Sequence, residues 1–182
     1  MILNNNYYIV RHGESENNVT DTESSKLENK DQFGLTQIGK ETMEKEAKNY
    51  NDFDIIYTSP FRKAKETAKI FAEYSKCPCT EDLRLREVDM GDFELQGYAK
   101  TDQFRSENSK HIPFPNGESL ADTEKRVIEF FNENNQKHKN MKILIVGHGG
   151  TIKTIFAYLN INIGWELYKK EYNYGRRVLK LK

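Results

Sequence analysis

The sequence predicts an α/β protein with three layers, α/β/α, around a mostly parallel central sheet. Three observations support this. The short apolar runs Tyr7–Val10, Ile55–Tyr57 and Ile143–Val146 are rich in β-branched and aromatic residues, which suits strands covered on both faces. Segments with helical periodicity fall between them. Strands that alternate with helices along a chain pack as layers on a parallel sheet.

Taken in order, Tyr7–Val10 is the first strand. Met43, Ala47 and Tyr50 recur at i, i+4 and i+7 and predict a helix, and Ile55–Tyr57 is the next strand. Ser59-Pro60 reads as an N-cap followed by proline at the first helical position, opening a helix that carries Ala64, Ala68 and Phe71. Residues of about 95–117 break the alternation: a helical start near Tyr98 gives way to polar residues and to prolines 113 and 115. This segment is expected to be an insertion that forms a lid over the site. Leu120, Val127, Phe130 and Phe131 share one face of a helix from Ser119 to about His138. After the strand Ile143–Val146 comes a full helical stripe, Ile152, Ile155, Phe156 and Leu159. Val178–Leu181 alternates and suits a strand at the sheet edge. With no repeat and no linker, residues 1–182 are expected to form a single domain.

Composition limits the possible functions. Lysine and arginine total 28, aspartate and glutamate total 28, and the net charge is zero, so the basic footprint of a nucleic-acid binder is missing. No apolar run approaches the about 18 residues of a membrane helix, and the N-terminus lacks the pattern of a signal peptide. Cys77 and Cys79 are too few for a disulfide framework or a structural zinc site. They are expected to be free thiols in a reducing cytoplasm.

In open α/β sheets, ligands bind beyond the carboxyl ends of the strands. Three strands deliver chemistry there: Arg11-His12 after the first, Ser59 to Arg62 after the second, and His148-Gly149-Gly150 after the third. Two histidines and two arginines thus converge on one sheet edge. Arginine forks bind phosphoryl oxygens, the first turn of a helix offers unpaired N–H groups to an anion, and a neutral imidazole is a competent nucleophile. A proton donor for a leaving alcohol is available in Glu87, Asp89, Asp92 or Glu94, among which spacing does not choose. His138 reads as a solvated helix surface and His111 as part of the lid. Trp165 with Tyr168, Tyr172 and Tyr174 reads as packing, and Lys169-Lys170 with Arg176-Arg177 as solvated surface.

The chain resembles the histidine phosphatase superfamily, also called phosphoglycerate mutase-like, in several blocks. These are Ile9 to Ser15 with Asn18, Leu35-Thr36 with Gly39, Ser59 to Ala64 with Thr67-Ala68, Leu85-Arg86-Glu87 with Gly91, Pro115 to Ser119 with Arg126-Val127, and Val146 to Gly150. Phe61 stands where leucine is usual, and Phe93-Glu94-Leu95 departs from an aromatic-Glu-Gly triplet. The resemblance implies His12 as the nucleophile and Glu87 as the proton donor. It implies Arg11, Arg62 and His148 as catalytic phosphate ligands, with Asn18 donating to a phosphate oxygen; Gly149, a glycine opening the helix after His148, lets a backbone donor approach the same site. It also implies no metal and no cofactor, and a small phosphorylated metabolite as substrate. A compact chain with a short lid favours a phosphatase. The alternatives are a phosphoglycerate mutase and a module that binds a phosphorylated ligand without turning it over.

Overall fold

The computed structural model describes residues 3–161 and 177–181. Its sheet has five strands in the order β3-β2-β4-β1-β5. These are β1 (Asn6–Arg11), β2 (Ile55–Thr58), β3 (Cys79–Glu81), β4 (Lys142–Gly147) and β5 (Leu179–Lys180). β1 to β4 run parallel, and β5 lies antiparallel on β1 at the edge. The expected layers are therefore present, with one addition. β3 is three residues long with every side chain exposed, so it carries no apolar pattern to announce it. It also contains Cys79, which with Cys77 is a free thiol.

Side chains on a strand point alternately to its two faces. Tyr7 and Ile9 of β1, Tyr57 of β2, and Ile143 and Ile145 of β4 pack on one side, against Val127, Phe130, Phe131, Ile152 and Ile155. Those helical residues belong to α5 (Leu120–Lys137) and α6 (Gly149–Tyr158). Val10, Ile56, Leu144 and Val146 pack on the other side, against Met43, Ala47, Ala64, Ala68 and Phe71. Those come from α2 (Gln37–Asn49) and α3 (Arg62–Ser75). Phe71, Phe130 and Phe131 are fully buried, and truncating any of them to alanine is expected to cost about 3–5 kcal/mol. α5 starts as expected: Ser119 is its N-cap, and its hydroxyl and the Asp122 carboxylate cap each other's backbone N–H.

The other elements are the short α1 (Glu16–Val19) and α4 (Tyr98–Glu107), which opens the segment expected to be a lid. This segment has its own small core, in which Phe104 stacks on Phe114 at 4.7 Å, beside Val88, Met90 and Phe93. Gly91 has φ +54°, and a Cβ there would overlap the Pro115 carbonyl, so only glycine lets the two loops touch. No helix among the described residues is long and apolar enough to cross a membrane.

Three sequence readings need correction or fall outside the described residues. α3 begins later than Ser59-Pro60 implies: its N-cap is Phe61. Ser59 instead accepts the Phe61 N–H at 3.3 Å, and its hydroxyl faces His148. His138 is not simply solvated: it caps α5, and its Nε2 lies 2.7 Å from the Tyr57 hydroxyl. Trp165, Tyr168, Tyr172, Tyr174, Lys169, Lys170 and Arg176 lie outside the described residues, while Arg177 is exposed.

Candidate active site

Strand order explains how distant residues meet. β4 lies between β1 and β2, and all three are parallel, so their carboxyl ends coincide. Arg11 pairs in register with Gly147; beyond the register, the His12 N–H donates to Gly147 O at 3.0 Å and the Ser59 N–H to Val146 O at 3.1 Å. The three loops that leave these strands are thereby stitched together at their first residues.

The loop after β1 is fixed from below. The Gly13 N–H donates to the Thr67 hydroxyl at 3.1 Å. Thr36, N-cap of α2, accepts the Gly39 N–H at 2.9 Å, and its own N–H donates to the Glu14 carbonyl at 3.0 Å. A Cβ on Gly39 would overlap the backbone of Glu14. The Leu35-Thr36-Gly39 and Thr67 blocks are thus the seat on which the His12 loop rests.

His12 and His148 are buried, with ring centroids 5.2 Å apart in an edge-to-face arrangement. His12 Nδ1 lies 2.8 Å from the Gly13 carbonyl. A carbonyl only accepts, so Nδ1 carries the proton and Nε2 keeps its lone pair. Burial holds the His12 imidazole well below its usual pKa of 6.5, and the charges of Lys63 and Arg11 and the His148 ring add in the same direction. It is therefore neutral at neutral pH. His148 is held low by burial first, then by Lys63, Arg11 and Arg126. Its Nε2 lies 2.7 Å from Ser59 Oγ. Ser59 Oγ, with one proton and two lone pairs, also accepts the Phe61 N–H. His148 Nδ1 is buried with no hydrogen-bond partner among the described residues.

With Arg11, the cation whose charge acts on both imidazoles is Lys63. It is 4% exposed, and its Nζ donates to Asn17 Oδ1 at 3.2 Å and to the Ser24 carbonyl at 3.4 Å. Burial lowers its pKa to about 8; Glu87 pulls it up and Arg11 pulls it further down. The structure does not bring Arg62 to this group. Its side chain is 46% exposed, its Nε pairs with Glu66 at 2.8 Å, and its guanidinium lies against Gly34. Helix geometry is the reason. The buried face of α3 carries residues 63, 64, 67, 68 and 71, and position 62 lies about 200° around the helix from 64. The register of the Ala64, Ala68 and Phe71 stripe was the signal that could have found Lys63.

A cavity of about 410 Å³ borders this cluster at Arg11. Arg11, Glu87, Gly149 and Gly150 line it on the sheet side, Tyr98, Asp102 and Arg105 from α4, and Lys153 from α6. His12, Lys63 and His148 do not line the cavity. His111 is exposed and does not line the cavity. Glu87 Oε1 accepts its neighbour Val88's N–H at 2.9 Å, and Oε2 accepts the Gly150 N–H at 3.3 Å.

The other three carboxylates of the acid block are engaged elsewhere. Glu94 accepts from Ser25, Lys26 and Asn29, Asp89 accepts the Gly91 N–H, and Asp92 faces Asn116. Asn18 uses its carbonyl oxygen to accept from Ser15, while its amide donates to the Tyr98 hydroxyl at 2.9 Å. Glu23, unmarked by any sequence pattern, also lines the cavity. Burial pushes its carboxyl up to about 7, and Thr101 of α4 donates to it at 2.5 Å.

Comparison with known proteins identifies the family. A family model described as the histidine phosphatase superfamily (branch 1) matches residues 7–173. The chain is 32% identical over 157 residues to an uncharacterized phosphatase, PhoE, of Bacillus subtilis, covering 84% of this chain and 76% of that one. It is 35% identical to a putative phosphoserine phosphatase 2 of Hydrogenobacter thermophilus, covering 87% and 80%. Phosphoglycerate mutases also match, one from Bartonella bacilliformis at 30% identity over 83% of this chain and 79% of that one. Among solved structures, YhfR of Bacillus stearothermophilus superposes with a TM-score of 0.80 at 28% identity, covering 98% of this chain and 91% of that one. With the family model matched over residues 7–173 and relatives above 30% identity covering most of its length, the chain belongs to the histidine phosphatase superfamily.

Proposed function

We propose that the chain is a metal-independent phosphatase that hydrolyses phosphomonoesters of small metabolites through a phosphohistidine on His12. The observation that carries this reading is the state of that ring: buried, neutral, protonated at Nδ1 by the Gly13 carbonyl contact, and so presenting Nε2 as a nucleophile.

In the first step Nε2 attacks phosphorus in line. The N–P bond forms, the P–O bond to the alcohol breaks, and Glu87 delivers a proton to the leaving oxygen. In the second, Glu87 takes a proton from water, which attacks phosphorus and releases phosphate and His12. Charge on the transferring group is met by Arg11, by Lys63, and by His148, whose buried Nδ1 has no partner among the described residues and, in the Nδ1–H tautomer, donates to it. The Gly149 N–H, first in α6 and beside the Arg11 guanidinium, adds a helix-terminus donor. Asn18 joins through its amide once that group leaves Tyr98. Arg62 has no place in this set. These cations supply the positive charge that a metal ion supplies in other phosphoryl-transfer enzymes.

The cavity suits a small polar organic group rather than a polymer, and both acidic and basic side chains line it. The two free thiols favour a cytoplasmic setting. Phosphoglycerate mutase activity is the second reading, supported by the mutase relatives. It requires a bisphosphorylated primer and interconversion of phosphoglycerate isomers.

Hydrolysis of p-nitrophenyl phosphate in the presence of EDTA tests the proposal. The wild-type chain is expected to turn over and His12→Ala to fall to background. Near-normal turnover by His12→Ala, or loss of wild-type activity to EDTA, would refute it.

A further inference from the structure

The loop that carries Glu87 has little regular structure of its own. After the 3-10 turn Leu83–Leu85 the chain runs through residues 86–90 with no strand partner, so its backbone polar groups must be satisfied by something else. Much of that is done by one buried ion pair. Arg126 Nη1 donates to the carbonyls of Arg84 (2.6 Å) and Arg86 (2.9 Å), and Nη2 donates to the carbonyl of Glu87 itself (3.1 Å). The rest of its fork meets Glu118: Nε donates to Oε2 at 3.2 Å and Nη2 to Oε1. Glu118 closes the ring from the other side. It accepts the Asp89 N–H at 3.0 Å, the Arg86 guanidinium at 2.7 Å and the Thr123 hydroxyl at 3.0 Å. Both residues are buried, and neither lines the cavity.

We propose that Arg126 and Glu118 are positioning residues: together they clamp the backbone on both sides of Glu87 and so set its carboxyl for proton transfer. The inference rests on the assignment of Glu87 as proton donor. Two physical points support it. A buried ion pair is a poor source of stability compared with apolar side chains of similar size, so a purely structural role explains its presence badly. The planar guanidinium also suits the task, since its fixed fork reaches several carbonyls at once while a lysine ammonium would reach fewer. A displacement of about 1 Å at a reacting group lowers rates by as much as about 100-fold.

Arg126→Lys, Glu118→Gln and Glu87→Gln are made singly, and Arg126→Lys is also combined with Glu87→Gln. Each is assayed for kcat/KM on p-nitrophenyl phosphate, whose leaving group needs no proton, and on a simple alkyl phosphate, whose leaving group does. The ratio of the two is the readout. An unfolded fraction lowers both rates alike and cancels, so loss of stability does not mimic the effect. Arg126→Lys and Glu118→Gln are each expected to lower the alkyl-to-aryl ratio about tenfold. Adding Arg126→Lys to Glu87→Gln is expected to lower it no further.

Equal losses on both substrates, or a full extra drop in the double variant, would overturn the positioning role while leaving Glu87 as the donor. An unchanged ratio in Glu87→Gln alone would overturn the donor assignment and the inference with it. Should Arg126→Lys yield no folded protein, Glu118→Gln, which keeps the shape of the side chain, decides the question alone.

Discussion

Lys63 and Arg62 are neighbours in sequence, yet their charges do different work. Lys63 Nζ donates to Asn17 and Ser24 and its charge acts on both imidazoles, whereas Arg62 pairs with Glu66 near the surface. Lys63→Ala is therefore expected to lower kcat/KM about 100-fold or more, the loss seen when a preorganised stabiliser of transition-state charge is removed. Arg62→Ala is expected to change it about twofold at most. Steady-state kinetics of the pair check this, and the reverse ranking would return the role to Arg62. Protonation adds a second test. With a pKa of about 8, Lys63 loses its charge as pH rises through that value. The alkaline limb of kcat/KM should then fall near pH 8 and move upward in Lys63→Arg. Keeping this lysine charged inside the protein costs stability. Its drop from 10.5 to about 8, at about 1.4 kcal/mol for each pH unit, is a penalty of about 3 kcal/mol at pH 7. Between those pKa values the unfolded chain holds the extra proton, so the penalty fades as pH rises toward 10.5. Lys63→Met should thus lose activity yet melt several degrees higher than wild type at pH 7, with the gap closing at alkaline pH. Thermal scans at two pH values would show it, and a lower Tm at pH 7 would contradict it.

At the scale of elements, the turn from β4 into α6 binds nucleophile, acid and anion site together. His148 is the N-cap of α6, and Gly150 donates its N–H to Glu87. A Cβ on Gly150 would overlap Glu87 Oε1 and lie 2.8 Å from Val88. Glu87 Oε1 is the end of a flexible side chain but Val88 is buried and stiff at χ1, so Gly150→Ala is expected to lower Tm as well as displace the acid. Alkyl phosphate hydrolysis should drop at least about tenfold, with p-nitrophenyl phosphate less affected. Comparable losses on both substrates would mean that Gly150 serves the phosphoryl site instead. At this scale the sequence was highly informative. The apolar runs marked β1, β2 and β4, and what followed each run marked His12, His148 and Arg11. It was less informative where periodicity fails. β3 is short and fully exposed. Spacing alone left Glu87 as one carboxylate among four; the family resemblance singled it out, and in the structure the other three are engaged elsewhere. Arg62 and Lys63 are both cations that follow the same strand, and only the rotation of α3 separates them.

At the scale of the whole molecule, the strand order explains why one chain needs residues from positions 11 to 150 to make a single pocket. β4, late in sequence, is inserted between β1 and β2. Alternation of strands and helices made the layered class legible, but nothing local announces which strand lies in the middle. The segment of about 95–117 was legible only as an exception. The structure gives it a small core of its own and a wall of the cavity, joined to the rest through Tyr98 with Asn18 and Thr101 with Glu23. Because the anion site draws on three loops, occupancy should stabilise the entire fold. Inorganic phosphate at about 100 times its Kd is expected to add about 2.7 kcal/mol, and a Tm that ignores phosphate in the wild-type chain would argue against a preformed site. The central claim is the covalent step on His12. Rapid quenching of the chain with a phosphorus-labelled phosphomonoester, followed by peptide mapping, measures it directly. The account predicts acid-labile, alkali-stable label on the peptide containing His12, and none in His12→Ala. Product release with no labelled histidine, or label on a different residue, would contradict it.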